Sequence, residues 1–294
     1  MYPSATVLSD GRVLVAGGQG DASVLGSAAI YDPDANAWTS VDALHEPRFG
    51  HGAVLLPDGR VMVMGGEGRF RLFSAVGGDL LPPLLASAEI YDAATGGWTA
   101  VSPMPRALGG VRASVGTNGQ VIARGRSVDY ASPEFAFEYQ IVRDAWREIP
   151  IVDGTPRPLI EVLNYNNETG VVFYNTGPQI GVRVPRPPDA QTGFTPLNQY
   201  ATARLGDGRV LVAGGERYGA PKREVLVYCA IYDPTANSWS GPCPYRSARS
   251  LPALTLLRDG SMLMTGGYGA ERRVIDAERF DPRTKTWSPA GRLP

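Results

Sequence analysis

Short apolar runs bounded by turn residues organise this chain, and nowhere does the three-to-four-residue spacing of a helix face persist. Val13-Leu-Val-Ala16, Val61-Met-Val-Met64 and Val210-Leu-Val-Ala213 are apolar at every position. Such runs predict strands buried on both faces. Each follows a tight turn closed by glycine, and the pattern occurs six times: Ser9-Asp-Gly11, Pro57-Asp-Gly59, Thr117-Asn-Gly119, Glu168-Thr-Gly170, Gly206-Asp-Gly208 and Arg258-Asp-Gly260. Asp-Gly and Asn-Gly supply the positive φ angles that two-residue hairpins demand, so the turn joins two antiparallel strands, a and b. Beyond strand b come small-residue pairs: Gly17-Gly18, Gly65-Gly66, Gly125-Arg126, Thr176-Gly177, Gly214-Gly215 and Gly266-Gly267. The turn glycines lie 48, 60, 51, 38 and 52 residues apart. A period of about 50 marks a repeat architecture.

The second half of each repeat keeps the same period. Tyr31 and Trp38 are seven residues apart, as are Tyr91 and Trp98, Tyr139 and Trp146, Tyr232 and Trp239, and Phe280 and Trp287. All five tryptophans fall on this one position, on a strand d that follows strand c and its turn; they are expected to fill the wedge between sheets. The fourth repeat offers only Phe194, after the proline-rich Val184-Pro-Arg-Pro-Pro188.

These residues give the chain its resemblance to kelch-repeat β-propellers of the galactose oxidase-like superfamily. The carrying features are the Gly-Gly after strand b, the Tyr-Asp ending strand c (Tyr31-Asp32, Tyr91-Asp92, Tyr232-Asp233) and the Trp of strand d. The resemblance runs through essentially the whole chain, with repeats one, two, five and six closest and repeat four most divergent. It implies an all-β fold with blades of four antiparallel strands around a channel. The spacings predict six blades in a single propeller domain, at about 1–45, 46–104, 105–153, 154–198, 199–245 and 246–294. Each is expected to be contiguous in sequence, without strand exchange between the ends.

Composition narrows the classes. A net charge of −1 with no dominant basic patch argues against a nucleic-acid partner. No apolar run is long enough to span a membrane, and the N-terminal residues lack the pattern of a signal peptide. That leaves the compartment open between cytoplasm and the mature part of a secreted protein; a monomer is expected. Cys229 and Cys243 lie on strands c and d of repeat five. Strict register places them on opposite faces unless a bulge near Pro242 or Pro244 intervenes, so a disulfide and two buried thiols both stand. A bridge would favour an oxidising compartment.

In an a-b-c-d meander the d–a and b–c connections emerge on one face, and these connections vary most and hold the unusual residues. Candidate ligand-binding residues are Arg48, His51, Arg106, Arg157, Tyr200 and Arg249 at strand-a entries. After strand b come Glu67, Arg69, Arg126, Glu216, Arg217, Tyr218 and Tyr268. Arginine forks and tyrosine hydroxyls suit an anionic or polyhydroxylated small molecule or peptide. The plainer alternative is that these are solvated loop charges, arginine before strand a being part of the kelch pattern.

Metal chemistry finds little support. The only histidines, His45 and His51, lie six residues apart in one connection, unlike the dispersed histidines of galactose oxidase, and no cofactor is expected. Glu161, near the entry to strand a of repeat four, is a candidate general base. The apolar b–c loop of repeat two, 67–87, would serve as lid, partner patch or packing. Two functions follow: a ligand- or partner-binding propeller, or a metal-independent isomerase, lyase or cyclase acting on a small molecule at the same channel, by analogy with sialic acid mutarotase.

Overall fold

A computed structural model describes residues 3–20, 23–69, 83–116, 118–127, 134–150, 171–173, 183–185, 197–219, 222–271 and 273–293. Two compact units, Tyr2–Asp153 and Gly154–Leu293, divide the chain. In the first, repeat one forms β1 (Ser4–Val7), β2 (Val13–Ala16), β3 (Ala28–Asp32) and β4 (Ala37–Val41). Repeat two forms β5 (Gly52–Leu55), β6 (Val61–Met64), β7 (Ala88–Asp92) and β8 (Gly97–Val101). Repeat three forms β9 (Gly109–Val115), β10 (Val121–Arg126), β11 (Glu134–Gln140) and β12 (Ala145–Ile149).

In the second unit a short ladder of β13 (Val171–Phe173) and β14 (Arg183–Pro185) comes first. Repeat five then forms β15 (Leu197–Arg204), β16 (Val210–Gly219), β17 (Lys222–Val225), β18 (Cys229–Asp233) and β19 (Ser238–Ser240). Repeat six forms β20 (Ala253–Leu256), β21 (Met262–Thr265), β22 (Asp276–Asp281) and β23 (Thr286–Arg292). Repeats one, two, three, five and six are thus each an antiparallel meander in sequence order, with β17 an added partner of β16.

Among the described residues the blade count is therefore five, a correction to the six predicted. Of repeat four the described residues hold only β13 and β14, paired over three residues. The sequence supplies a physical reason. This repeat has Thr176-Gly177 in place of Gly-Gly, no tryptophan, and Pro185, Pro187 and Pro188, which have no N–H to give a ladder.

Within a blade, burial peaks at strands b and c and falls toward the outer strand d. All four residues of β2, β6 and β21 are buried, while β4 and β12 are largely exposed. The tryptophans stack on the strand-c aromatic at centroid distances of 4.9–5.2 Å. Only Trp98 is fully buried; the other four are half-buried, because strand d is the rim of the sheet. Trp98 and Trp146 each donate their indole N–H to a carbonyl of the preceding blade, Asp42 and Ser102.

The Gly-Gly pairs stand where neighbouring blades meet. Gly18, Gly66 and Gly215 donate their N–H groups to the carbonyls of Arg48, Leu108 and Arg249 on the entry to the next blade. A Cβ on Gly17 or Gly214 would lie 2.5 Å from the same carbonyls of Arg48 or Arg249, and both glycines have positive φ, so the close approach excludes a side chain.

In repeat five Cys229 and Cys243 are joined in a disulfide. The ladder pairs Ile231 with Ser240, which would set Cys229 against Pro242. One extra residue after β19 instead lets the Cys243 N–H reach the Cys229 carbonyl, and the two sulfurs share a face.

Candidate functional site

Backbone bridges knit the d–a and b–c connections together on one side of each blade. In repeat two Phe49 pairs with Glu67, Glu67 with Leu84, and Leu85 with Leu108. In repeat six Ser250 pairs with Tyr268, and Tyr268 with Arg273.

Two of the candidate arginines face inward. Arg48 has no exposed surface; its guanidinium donates to the carbonyls of Glu46, Gly65 and Ser87, to Ser87 Oγ at 2.9 Å, and to Glu89 Oε1 at 2.9 Å. Arg249 repeats the arrangement, donating to the carbonyls of Ser247, Gly266 and Asp276 and to Glu278 Oε1 at 2.7 Å. The acceptors Glu89 and Glu278 also take backbone N–H groups of the preceding turn, so both charges are paired and hydrogen-bonded. Repeat three replaces the pair outright. Leu108 occupies the arginine position and Phe137 the glutamate position, two residues before Tyr139, and both are fully buried in one apolar cluster.

Glu67 behaves differently. It immediately follows Gly65-Gly66 and is half-buried, and among the described residues its carboxylate has no hydrogen-bond or ion-pair partner. Burial raises its pKa above the ordinary carboxyl value. A Cβ on Gly50 would meet only Glu67 Oε1, at 4.0 Å, and one on Gly109 would lie 3.7 Å from it and 2.7 Å from Leu84. At the neighbouring Gly110 a Cβ would meet nothing within 4 Å. Gly50 and Gly110 take φ of 59° and 56°, and Leu251 holds the same place in repeat six at 52°. Among the described residues, Glu67 therefore borders open space over Gly50 and Gly110, with Leu84 beside it at Gly109.

The remaining candidates are dispersed. His51 is buried, with Nε2 2.9 Å from Ser4 Oγ, and burial, with the Arg48 charge beside it, lowers its pKa to about 3. Arg69 and Arg106 are exposed, and Arg106 lies 4.7 Å over the Phe135 ring. Arg126 is half-buried and pairs across the ladder with Gly109. Tyr200 and Glu216 are buried. The Tyr268 hydroxyl accepts from Arg273 at 2.8 Å. Arg217 and Tyr218 lie in the extension of β16, opposite Glu224 and Arg223 of β17. Glu161, Arg157 and the 70–82 part of the apolar loop fall outside the described residues.

Sequence reasoning missed Glu89 and Glu278, although each is a carboxylate two residues before the strand-c aromatic. It also missed Gly50 and Gly110, which are ordinary loop glycines until their φ is known. Among the described residues no group of three or more His, Cys, Asp or Glu could hold a metal ion. A cleft of about 400 Å³ lies on the hairpin side of repeats five and six. Its carboxylates Asp207, Asp259 and Asp281 are already paired, with Arg209, Arg279 and Arg283.

A kelch motif model matches residues 1–44 and 258–294. The human Kelch-like protein 34 is 40% identical over 97 residues, which is 32% of this chain and 13% of that protein. The fold agrees with the solved structure of YjhT at a TM-score of 0.65 and 15% identity, covering 98% of this chain and 97% of that one. Together these matches support a kelch-repeat β-propeller. A copper-bound fungal alcohol oxidase of the AA5 family shares the fold more distantly, at a TM-score of 0.51 and 17% identity, over all of this chain and 65% of the oxidase. These solved structures bear on the architecture of the kelch blades alone.

Proposed function

We propose that this propeller is a binding scaffold whose ligand site lies on the d–a/b–c face of repeats two and three, centred on Glu67. The ligand is a polar, hydroxyl-bearing small molecule or peptide. The observation that carries this is the half-buried Glu67 carboxylate without a partner among the described residues, beside open space over Gly50 and Gly110. A partly desolvated acceptor left unsatisfied costs roughly 1–3 kcal/mol, and a bound hydroxyl or amine recovers it. Arg69 and Arg106, exposed on the same connections, supply the rim. Arg48 braces the entry to repeat two from within the blade. The Cys229–Cys243 bridge fits an oxidising compartment.

A thermal-shift screen of sugars, polyols, amino acids and their phosphates tests the reading. Gly50→Leu is the matched control, because Leu251 accommodates leucine at the same backbone angle. Ligands are expected to raise the melting temperature of the native protein and not that of Gly50→Leu. Equal shifts in both would place binding elsewhere.

The raised pKa of Glu67 favours a second reading, a metal-independent enzyme using this carboxyl for proton transfer. For a ligand found in the screen, Glu67→Gln would then abolish turnover while largely sparing affinity.

A further inference from the structure

The charge balance around Glu67 carries the account from a site to a ligand class. Sequence reasoning chose an anionic or polyhydroxylated ligand because arginines crowd the loops. Arg48 and Arg249 are spent inside the blades on Glu89 and Glu278. Arg106 lies over Phe135, and Arg273 over Tyr268. The carboxylate at the opening is the charge left over. Arg69, two residues along, and Arg126, opposite Gly109 in the ladder, are cations on neighbouring positions, and neither forms an ion pair with Glu67.

Among the described residues, the other groups packed against this place are uncharged. Phe49 and Leu84 pair with Glu67 through the backbone, and Gly50 and Gly109 face its Oε1. Leu84 adds an aliphatic wall within reach of the Gly109 position. A half-buried carboxylate against hydrocarbon, with no cation of its own, is matched by a cation carried on an aliphatic or sugar carbon.

We infer that the Glu67 opening binds the protonated amine of a hydroxyl-bearing ligand, with the Glu67 carboxylate as its counter-ion. This rests on the site reading above and narrows it from polar ligands in general to aminated ones. The amine N–H groups donate to the carboxylate, which is acceptor-only when ionised. Burial strengthens the pair relative to one in water. The free carboxyl holds its proton to higher pH than an ordinary glutamate, so binding fades as pH falls and Glu67 protonates, while the amine stays charged. Source remains to be distinguished between an amino sugar and the lysine side chain of a peptide, which share this chemistry.

Three probes that differ in charge on one hydroxylated ring separate the possibilities: D-glucosamine, D-glucose and D-glucuronate, followed by calorimetry or ligand-observed NMR at pH 7. Glucosamine is expected to bind at least tenfold more tightly than glucose, and glucuronate more weakly than either. In Glu67→Gln, a near-isosteric change at a side chain without partners among the described residues, that advantage should vanish with the melting temperature retained. The native protein needs no variant for the second arm: its preference for glucosamine should decline as pH is lowered toward 4. Nα-acetyl-lysine amide, run in parallel, reports whether an alkyl amine alone suffices.

Equal affinity for glucosamine and glucose, an advantage that survives in Glu67→Gln, or no glucosamine binding at all would overturn the inference. If glucose or glucuronate binds the native protein but not Gly50→Leu, the site reading stands and only the cation assignment fails. Binding that ignores Gly50→Leu removes both.

Discussion

His51 and Glu67 belong to the same blade and are shifted in opposite directions by one cause. Taking either group out of water disfavours its charged form, which lowers the histidine pKa and raises the carboxyl pKa. The consequences for stability have opposite signs. The unfolded chain protonates His51 near 6.5 and the folded protein only near 3. The contribution of neutral His51 is therefore complete above pH 6.5 and is lost as pH falls toward 3, at up to about 1.4 kcal/mol per pH unit. Repeat three has Val111 at the corresponding place before strand a, so His51→Val is expected to fold and to flatten the acid limb of a melting-temperature profile between pH 6 and 4. For Glu67 the folded pKa lies above the unfolded one, so its contribution is complete at low pH and is lost as pH rises through the folded value. Glu67→Gln should therefore match or exceed the native melting temperature at pH 7 and lose this dependence. A clear drop in stability at pH 7 would indicate a structural partner for Glu67.

At the scale of the element, the chain contains its own control for the buried ion pair. Arg48–Glu89 and Arg249–Glu278 are charged solutions to a seam that repeat three solves with Leu108 and Phe137. Breaking a buried pair by removing one partner typically costs about 3–5 kcal/mol, whereas replacing both by packed apolar groups is often neutral. Arg48→Leu and Glu89→Phe should each destabilise strongly, and the double variant should regain most of the loss in chemical denaturation. Additive losses would contradict the equivalence of the two seams. In the sequence the arginines were legible as a recurring position but not as an interior one. A loop arginine reads alike whether solvated or buried, and what decides it is a glutamate on a strand 41 residues away for Arg48 and 29 for Arg249. The disulfide was likewise open in the sequence, because one residue of slip after β19 decides whether the sulfurs meet. The bridge closes a loop of about 15 residues, so its reduction should cost about 3 kcal/mol on the chain-entropy account. Comparing melts with and without a reducing agent, against Cys229→Ala/Cys243→Ala, checks this.

Across the whole molecule, the repeat period, the strand order and the antiparallel meander were legible because hairpin glycines and strand-c aromatics act locally. The number of blades was not. The apolar run after Glu168-Thr-Gly170 does yield β13, whose described partner is β14. The five blades also share the strand-c aromatic stacked on the strand-d tryptophan, and repeat four has no tryptophan. The loop face was legible as a place from topology alone, whereas the burial and pairing of Arg48 and Arg249 were not. The sharpest test is a site-resolved ¹³C NMR titration of the Glu67 carboxyl in the native protein, assigned by comparison with Glu67→Gln and repeated with glucosamine. The account predicts a midpoint above that of an ordinary glutamate, moving down when the amine is bound. A midpoint at or below the ordinary value, unmoved by the amine, would mean that Glu67 is already satisfied within the chain and that this face holds no such site.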